Sequence, residues 1–318
     1  MISLEHALKE NDILLVDGSV KNPESRGYLP NQGHFALICE ETLKRIMDDI
    51  MIFSGIIGSK NSRTIPEVVE ELHVYEQGLS GSYRFLTFSD CSRSLKSIVK
   101  QVSEGSDDLQ KQSLSTEGKA AIVRDRNKKS YGNLLLRINK CISLFHSRAI
   151  RIVDPAYDEL VEMIKTLDRA VGLKRSTREL MKDPDYSSSN SSASDTDERL
   201  VATSFWISMF SNKRVGILTN DNDFFSLLRA TPEMLGAREF QPYNKMFRVP
   251  IKRNPVQLYY RLNGNGCEKF ITSFVDFQGR LKLYGVDKER ADEIREKISQ
   301  FWIHFADYYG EVGIKFEG

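Results

Sequence analysis

Two short runs without a charged residue, each closed by an aspartate, constrain this chain more than any other feature. Ile13-Leu14-Leu15-Val16 stops at Asp17-Gly18-Ser19, and Val215-Gly216-Ile217-Leu218-Thr219 stops at Asn220-Asp221-Asn222-Asp223. Short apolar runs that do not alternate with polar residues read as strands buried on both faces. Just before the second run, Ser194-Asp195-Thr196-Asp197-Glu198-Arg199-Leu200-Val201-Ala202 opens a helix expected from Thr196 to about Phe210. Leu200, Val201, Ser204, Phe205 and Met209 fall at helical spacing there, with no Pro or Gly. Asp195 and Asp197 then lie at a helix start, and Asp221 and Asp223 just past the carboxyl end of a strand. In open parallel α/β sheets that strand edge is where ligands bind.

The rest of the chain supplies the partners of these elements. Phe35 to Phe53 and Asp158 to Leu167 carry apolar stripes at helical spacing. Thr64-Ile65-Pro66 opens another helix with Val68, Val69, Leu72 and Tyr75 on one side. Ala149 to Val153 reads as a strand, and Leu134 to Phe145 as a helix. Val256–Leu262 and Lys269–Val275 flank Asn263-Gly264-Asn265-Gly266, a strong hairpin signal. Phe277–Leu283 can turn into a third strand, and Asp287 to about Tyr308 is expected to close the chain as a helix. The expected organisation is an α/β domain over residues 1–238, with a helical insertion at about 90–148 and a mobile Ser-rich loop at about 182–194. A small β-hairpin-plus-helix appendage over 239–318 follows.

Composition narrows the class. The 318 residues are 40% hydrophobic and 28% charged, the balance of a globular protein. No apolar run approaches the ~18–20 residues of a membrane span, so no membrane partner is expected. The N-terminal residues show no signal-peptide pattern, so an intracellular, cytoplasmic protein is expected. Cys39, Cys91, Cys141 and Cys267 are widely spaced, which favours reduced, packed thiols over a zinc site or disulfides. A net charge of +1 neither implies nor excludes a nucleic-acid partner. Self-association is left open.

Asp17, Asp197 and Asp221, with Asp223 nearby, are brought by separate segments to the expected carboxyl edge of one sheet. Glu71 is a further candidate, with Glu67 and Glu70 as close competitors. Carboxylates gathered in one place repel, and a hard divalent cation relieves that repulsion. Mg²⁺ takes oxygen donors in octahedral geometry, and Mn²⁺ accepts the same set. Such a site can polarise a phosphodiester and lower the pKa of an attacking water. Structural readings compete at each position. Ser194-x-x-Asp197 matches a capping box, and Asp195 suits the positive end of a helix. Asp221 can cap the helix beginning at Asp223, and Asp17 can be an ordinary turn acid.

Four segments carry a family resemblance. Leu14–Val20, Thr64–Leu72, Ser194–Asp197 with Leu200-Val201-Ala202, and Gly216–Asp223 together resemble the PIN-domain proteins, metal-dependent nucleases that mostly cut single-stranded RNA. The resemblance covers about residues 11–90 and 150–240. It implies a three-layer α/β/α fold with a central, mostly parallel sheet. It implies Asp17, Glu71, Asp197 and Asp221 as catalytic acids, and Asp17, Asp197, Asp221 and Asp223 as ligands of Mg²⁺ or Mn²⁺. Asp195, Thr219 and Ser19 are accessory: the two hydroxyls resemble those that position an acid or a ligand. The stretch from about 90 to 148 is longer than the family domain needs, and residues after Phe240 have no counterpart in it.

Lys245, Arg248, Lys252, Arg253 and Arg261 occur between Phe240 and Cys267 without an acid, interleaved with Tyr243, Phe247, Tyr259 and Tyr260. Cations for phosphates and aromatic faces for bases are what single-strand binding requires. Lys245, Arg248, Lys252, Arg253 and Tyr259 are therefore the expected RNA contacts; the competing view is a hairpin with core aromatics and solvated cations. The expected function is metal-dependent hydrolysis of single-stranded RNA. The alternative is an inactive RNA-binding or assembly module of the same fold.

Overall fold

The computed structural model describes residues 2–20, 40–73, 76, 116–171, 195–211, 213–241, 243–245, 247, 253–261, 266–271 and 287–312. The Ser-rich stretch at 182–194, the first part of the insertion, Arg248, Lys252 and the expected third strand at 277–283 lie outside these residues.

The chain is an α/β protein built on one six-stranded mixed sheet. Its strands are β1 (Ile2–Ser3), β2 (Ile13–Val16), β3 (Ser62–Arg63), β4 (Val215–Thr219), β5 (Gln257–Arg261) and β6 (Gly266–Ile271). They lie in the order β1-β6-β5-β4-β2-β3. β3, β2, β4 and β5 are mutually parallel; β6 runs antiparallel to β5, and β1 antiparallel to β6. Every residue of β4 is buried, as are Leu14, Leu15 and Val16 of β2. The unbroken apolar runs thus become the central strands, as the absence of alternation requires.

Two compact units are distinguishable. The first comprises Met1–Asp17, Ser59–Val68 and Ala149–Gly318; the second comprises Gly18–Gly58 and Val69–Arg148. The helices of the first include α1 (Leu4–Glu10), α4 (Pro155–Val171), α5 (Thr196–Phe210), α6 (Asp223–Leu235) and α7 (Lys288–Val312). α5 contacts β4, α4 packs on α5, and α7 packs on α4. The stripe Leu160, Val161, Ile164 and Leu167 of α4 is buried, each side chain worth about 1.5–3 kcal/mol over exposure. In the second unit α2 (Glu40–Gly58) lies along α3 (Thr116–Arg148). Phe53 and Phe145 meet there with ring centroids 4.5 Å apart. Leu134, Ile138, Cys141, Ile142 and Phe145 provide the inward face of α3. Among the described residues, no helix is long and apolar enough to cross a membrane.

Two expectations need correction. The described strands of 239–318 are not set apart from the α/β core: β5 pairs in parallel with β4, and the β5–β6 hairpin extends the main sheet. A hairpin signal fixes local pairing but not which sheet edge the pair joins. Residues 149–153 do not form a full strand. A single parallel bridge links Ala149 to Thr64, and Val153 is 87% exposed, so the apolar run is not covered on both faces.

β4 approaches its neighbours closely through Gly216. A methyl group there would lie 2.7 Å from Cε2 of Tyr259 and 3.0 Å from Oδ1 of Asn11. The room is taken by a buried polar cluster. Asn11 Nδ2 donates to the Tyr259 hydroxyl at 2.8 Å, and that hydroxyl donates to Glu10 at 3.1 Å and is also in contact with Gln257. Glu10 pairs in turn with Lys269 of β6. Burial pushes the Tyr259 phenol well above its ordinary range.

Candidate functional site

β2 and β4 are adjacent, and their onward connections lead to opposite sides: from β2 to β3, from β4 to β5. That reversal marks a topological switch point, with the binding edge outside the carboxyl ends of the two strands. Asp17 follows β2 there, and Asn220-Asp221 follows β4.

The edge is held by directional bonds. The Asp17 amide donates to the Leu218 carbonyl at 3.0 Å, which continues the β2–β4 ladder by one residue. The Thr64 hydroxyl donates to the Val16 carbonyl at 3.0 Å. Asp17 itself is 3% exposed. The Thr219 hydroxyl donates to Asp17 Oδ2 at 2.7 Å and accepts from the Asp221 amide at 2.9 Å. Asp221 Oδ1 then accepts from the Asp223 amide at 3.1 Å. One hydrogen-bonded path therefore joins Asp17, Thr219, Asp221 and Asp223. Asn222, not Asp221, stands at the N-cap of α6 and makes no side-chain cap bond; the Asp221 carboxylate one residue earlier takes the N–H of the first helical residue.

Asp195 is drawn elsewhere. It stands at the N-cap of α5 but makes no side-chain cap bond. Its carboxylate instead accepts from Arg199 Nε at 3.1 Å and lies 3.3 Å from Lys165 Nζ. Burial pushes its pKa up, but the charges of Arg199 and Lys165 outweigh that and hold it below the usual carboxylate value. Arg199 also reaches Glu67 at 3.5 Å and Asp158 at 4.0 Å. Glu67, a competitor of Glu71, is thus committed to an arginine. Asp197 lies half-buried in the first turn of α5. Glu71 and Ser19 belong to the second unit.

The oxygen donors at the edge have the chemistry that Mg²⁺ and Mn²⁺ prefer. Their arrangement does not yet fit an ion: among the described residues, no three Asp, Glu, His or Cys side chains come close enough together to hold one.

The RNA contacts expected from sequence divide. Lys245 and Arg253 are exposed. Tyr259 is fully buried with its hydroxyl bonded, so it cannot present a ring to a base; this corrects its assignment. Phe240 and Phe247 are core residues as well. The sequence reading missed Arg199 and Lys165. The four-residue spacing of Asp195 and Arg199 on one helix was the available signal.

No protein-family model matches the chain, and no curated protein or solved structure matches it.

Proposed function

We propose that the carboxyl edge of β2 and β4 is the working edge of a divalent-metal-dependent ribonuclease of PIN type, acting on single-stranded RNA. One observation carries this reading: the Thr219 hydroxyl ties Asp17 and the Asp221 backbone together across adjacent parallel strands at the switch point. Asp17, Asp197, Asp221 and Asp223 are the acids assigned to it. When bound, Mg²⁺ or Mn²⁺ would supply Lewis acidity and an acidified water. Occupancy requires the acidic oxygens to draw closer than they stand. Thr219 keeps the Asp17 carboxylate oriented through its donated hydrogen bond.

A second reading is favoured by the unconverged donors: an RNA-binding or assembly module of this fold without hydrolytic activity. The two separate when labelled single-stranded RNA is incubated with the protein in Mn²⁺ and in EDTA. The nuclease reading expects Mn²⁺-dependent products that Asp17→Asn and Asp221→Asn both lose while remaining folded. Binding without products, or metal-stimulated cutting by both variants, rules it out.

A further inference from the structure

The same edge carries a pair of aromatic rings that the acidic path does not use. Tyr260 of β5 is in register with Thr219 of β4, which places it one strand spacing, about 4.8 Å, from the residue that holds Asp17. Phe225 lies two residues beyond Asp223, in the first turn of α6. The two rings have centroids 5.5 Å apart, tilted by 40°. Unlike Tyr259, Phe240 and Phe247, both are only half-buried. One turn further along α6, on the same side, Arg229 is 85% exposed and lies 3.7 Å from Glu233.

An RNA strand at this edge can be held through its phosphates or through its bases. Among the described residues the charge here offers a phosphate little: Arg229 is shared with Glu233, and the exposed Glu268 of β6 stands opposite Tyr260. Half-exposed aromatic faces offer a base a stacking surface, because every base has a π-face and stacking is tolerant of sequence.

We propose that Phe225 and Tyr260 seat one nucleobase of a single-stranded RNA, beside the acidic edge. This subsite rests on the nuclease reading for its place in a reaction, though not for its binding. Two consequences follow from the local charges. Affinity depends on the presence of bases, and the part due to this subsite depends little on salt.

The test measures binding of the full chain, in EDTA, to a fluorescein-labelled oligouridylate of about ten nucleotides. An abasic ribose-phosphate oligomer of equal length is the control. The wild-type protein is expected to prefer the oligouridylate by about fivefold or more, at both low and moderate salt. Phe225→Leu and Tyr260→Leu keep apolar volume but remove the π-face, and each should weaken that binding by about five- to a hundredfold. Tyr260→Phe should retain it. Equal wild-type affinity for both oligomers, no binding of either, or unchanged affinity in folded Leu variants overturns the proposal. Should the Leu variants fail to fold, the wild-type comparison with the abasic oligomer decides. Because metal is absent throughout, failure here leaves Mn²⁺-dependent cleavage as a separate question. Loss of the nuclease reading leaves base-dependent binding intact.

Discussion

Two groups of acids lie near the start of α5 and the end of β4, and they are held in opposite ways. In the described contacts, Asp17 accepts from a threonine hydroxyl and Asp221 from a backbone N–H, both neutral donors. Asp195 and Glu67 are held by cations, with Arg199 touching both and Lys165 adding to Asp195. A hydroxyl orients a carboxylate without bringing a charge of its own. A carboxylate fixed by a guanidinium has much of its charge compensated. Orientation by dipoles therefore suits a site that must recruit charge, and orientation by ion pairs suits one that must lock helices together.

Substitutions can break or sharpen this contrast. Asp17→Asn is expected to lower metal-dependent RNA cleavage by at least about a hundredfold, since electrostatic stabilisation by a bound ion is worth several kcal/mol. Asp195→Asn should leave it within a few-fold; a gel assay on labelled RNA compares the two directly. Comparable losses would erase the distinction. Thr219→Val comes next. It strips Asp17 of a donor and the Asp221 amide of an acceptor, and should reduce cleavage by about ten- to a hundredfold. Its stability, read by urea titration, should fall by about 1–3 kcal/mol.

Arg199→Met is expected to cost about 1 kcal/mol, with a pH signature. The depressed pKa of folded Asp195 contributes stability above the unfolded carboxylate value of about 3.9, and that contribution vanishes as pH falls through the folded value. Wild type and variant should thus differ in melting temperature at pH 6 and converge towards pH 3. A gap that persists in acid would mean that Arg199 acts through packing. Lys165→Met should cost least, under about 1 kcal/mol, because its pairing with Asp195 is the longer of the two.

The central strands were legible because burial on both faces leaves no room for polar residues, so Leu14, Leu15 and Ile217 announce themselves. Asp17 and Asp221 were legible as the points where those runs stop. Partner choice was not. Asp195 had the positive end of a helix and an accessory place beside the acids as expected destinations, and Arg199 four residues on took it instead. Tyr259 was read as a surface ring because its neighbours are basic. A long-range fit decided otherwise: Gly216, distant in sequence, vacates the space that the ring fills. A glycine inside a strand run was the only hint of that close approach. The placement of β5 was equally invisible, since the hairpin motif is complete in itself.

The side-by-side pairing of β5 with β4 bears on any attempt to shorten this protein. A fragment ending at residue 238 would strip one flank of β4 of its ladder, baring a row of amides and carbonyls on a strand whose residues are all buried. Such a flank templates association with other copies. Expressed alone, the segment that looks self-sufficient from its acidic landmarks should precipitate or pair with itself rather than behave as a minimal domain.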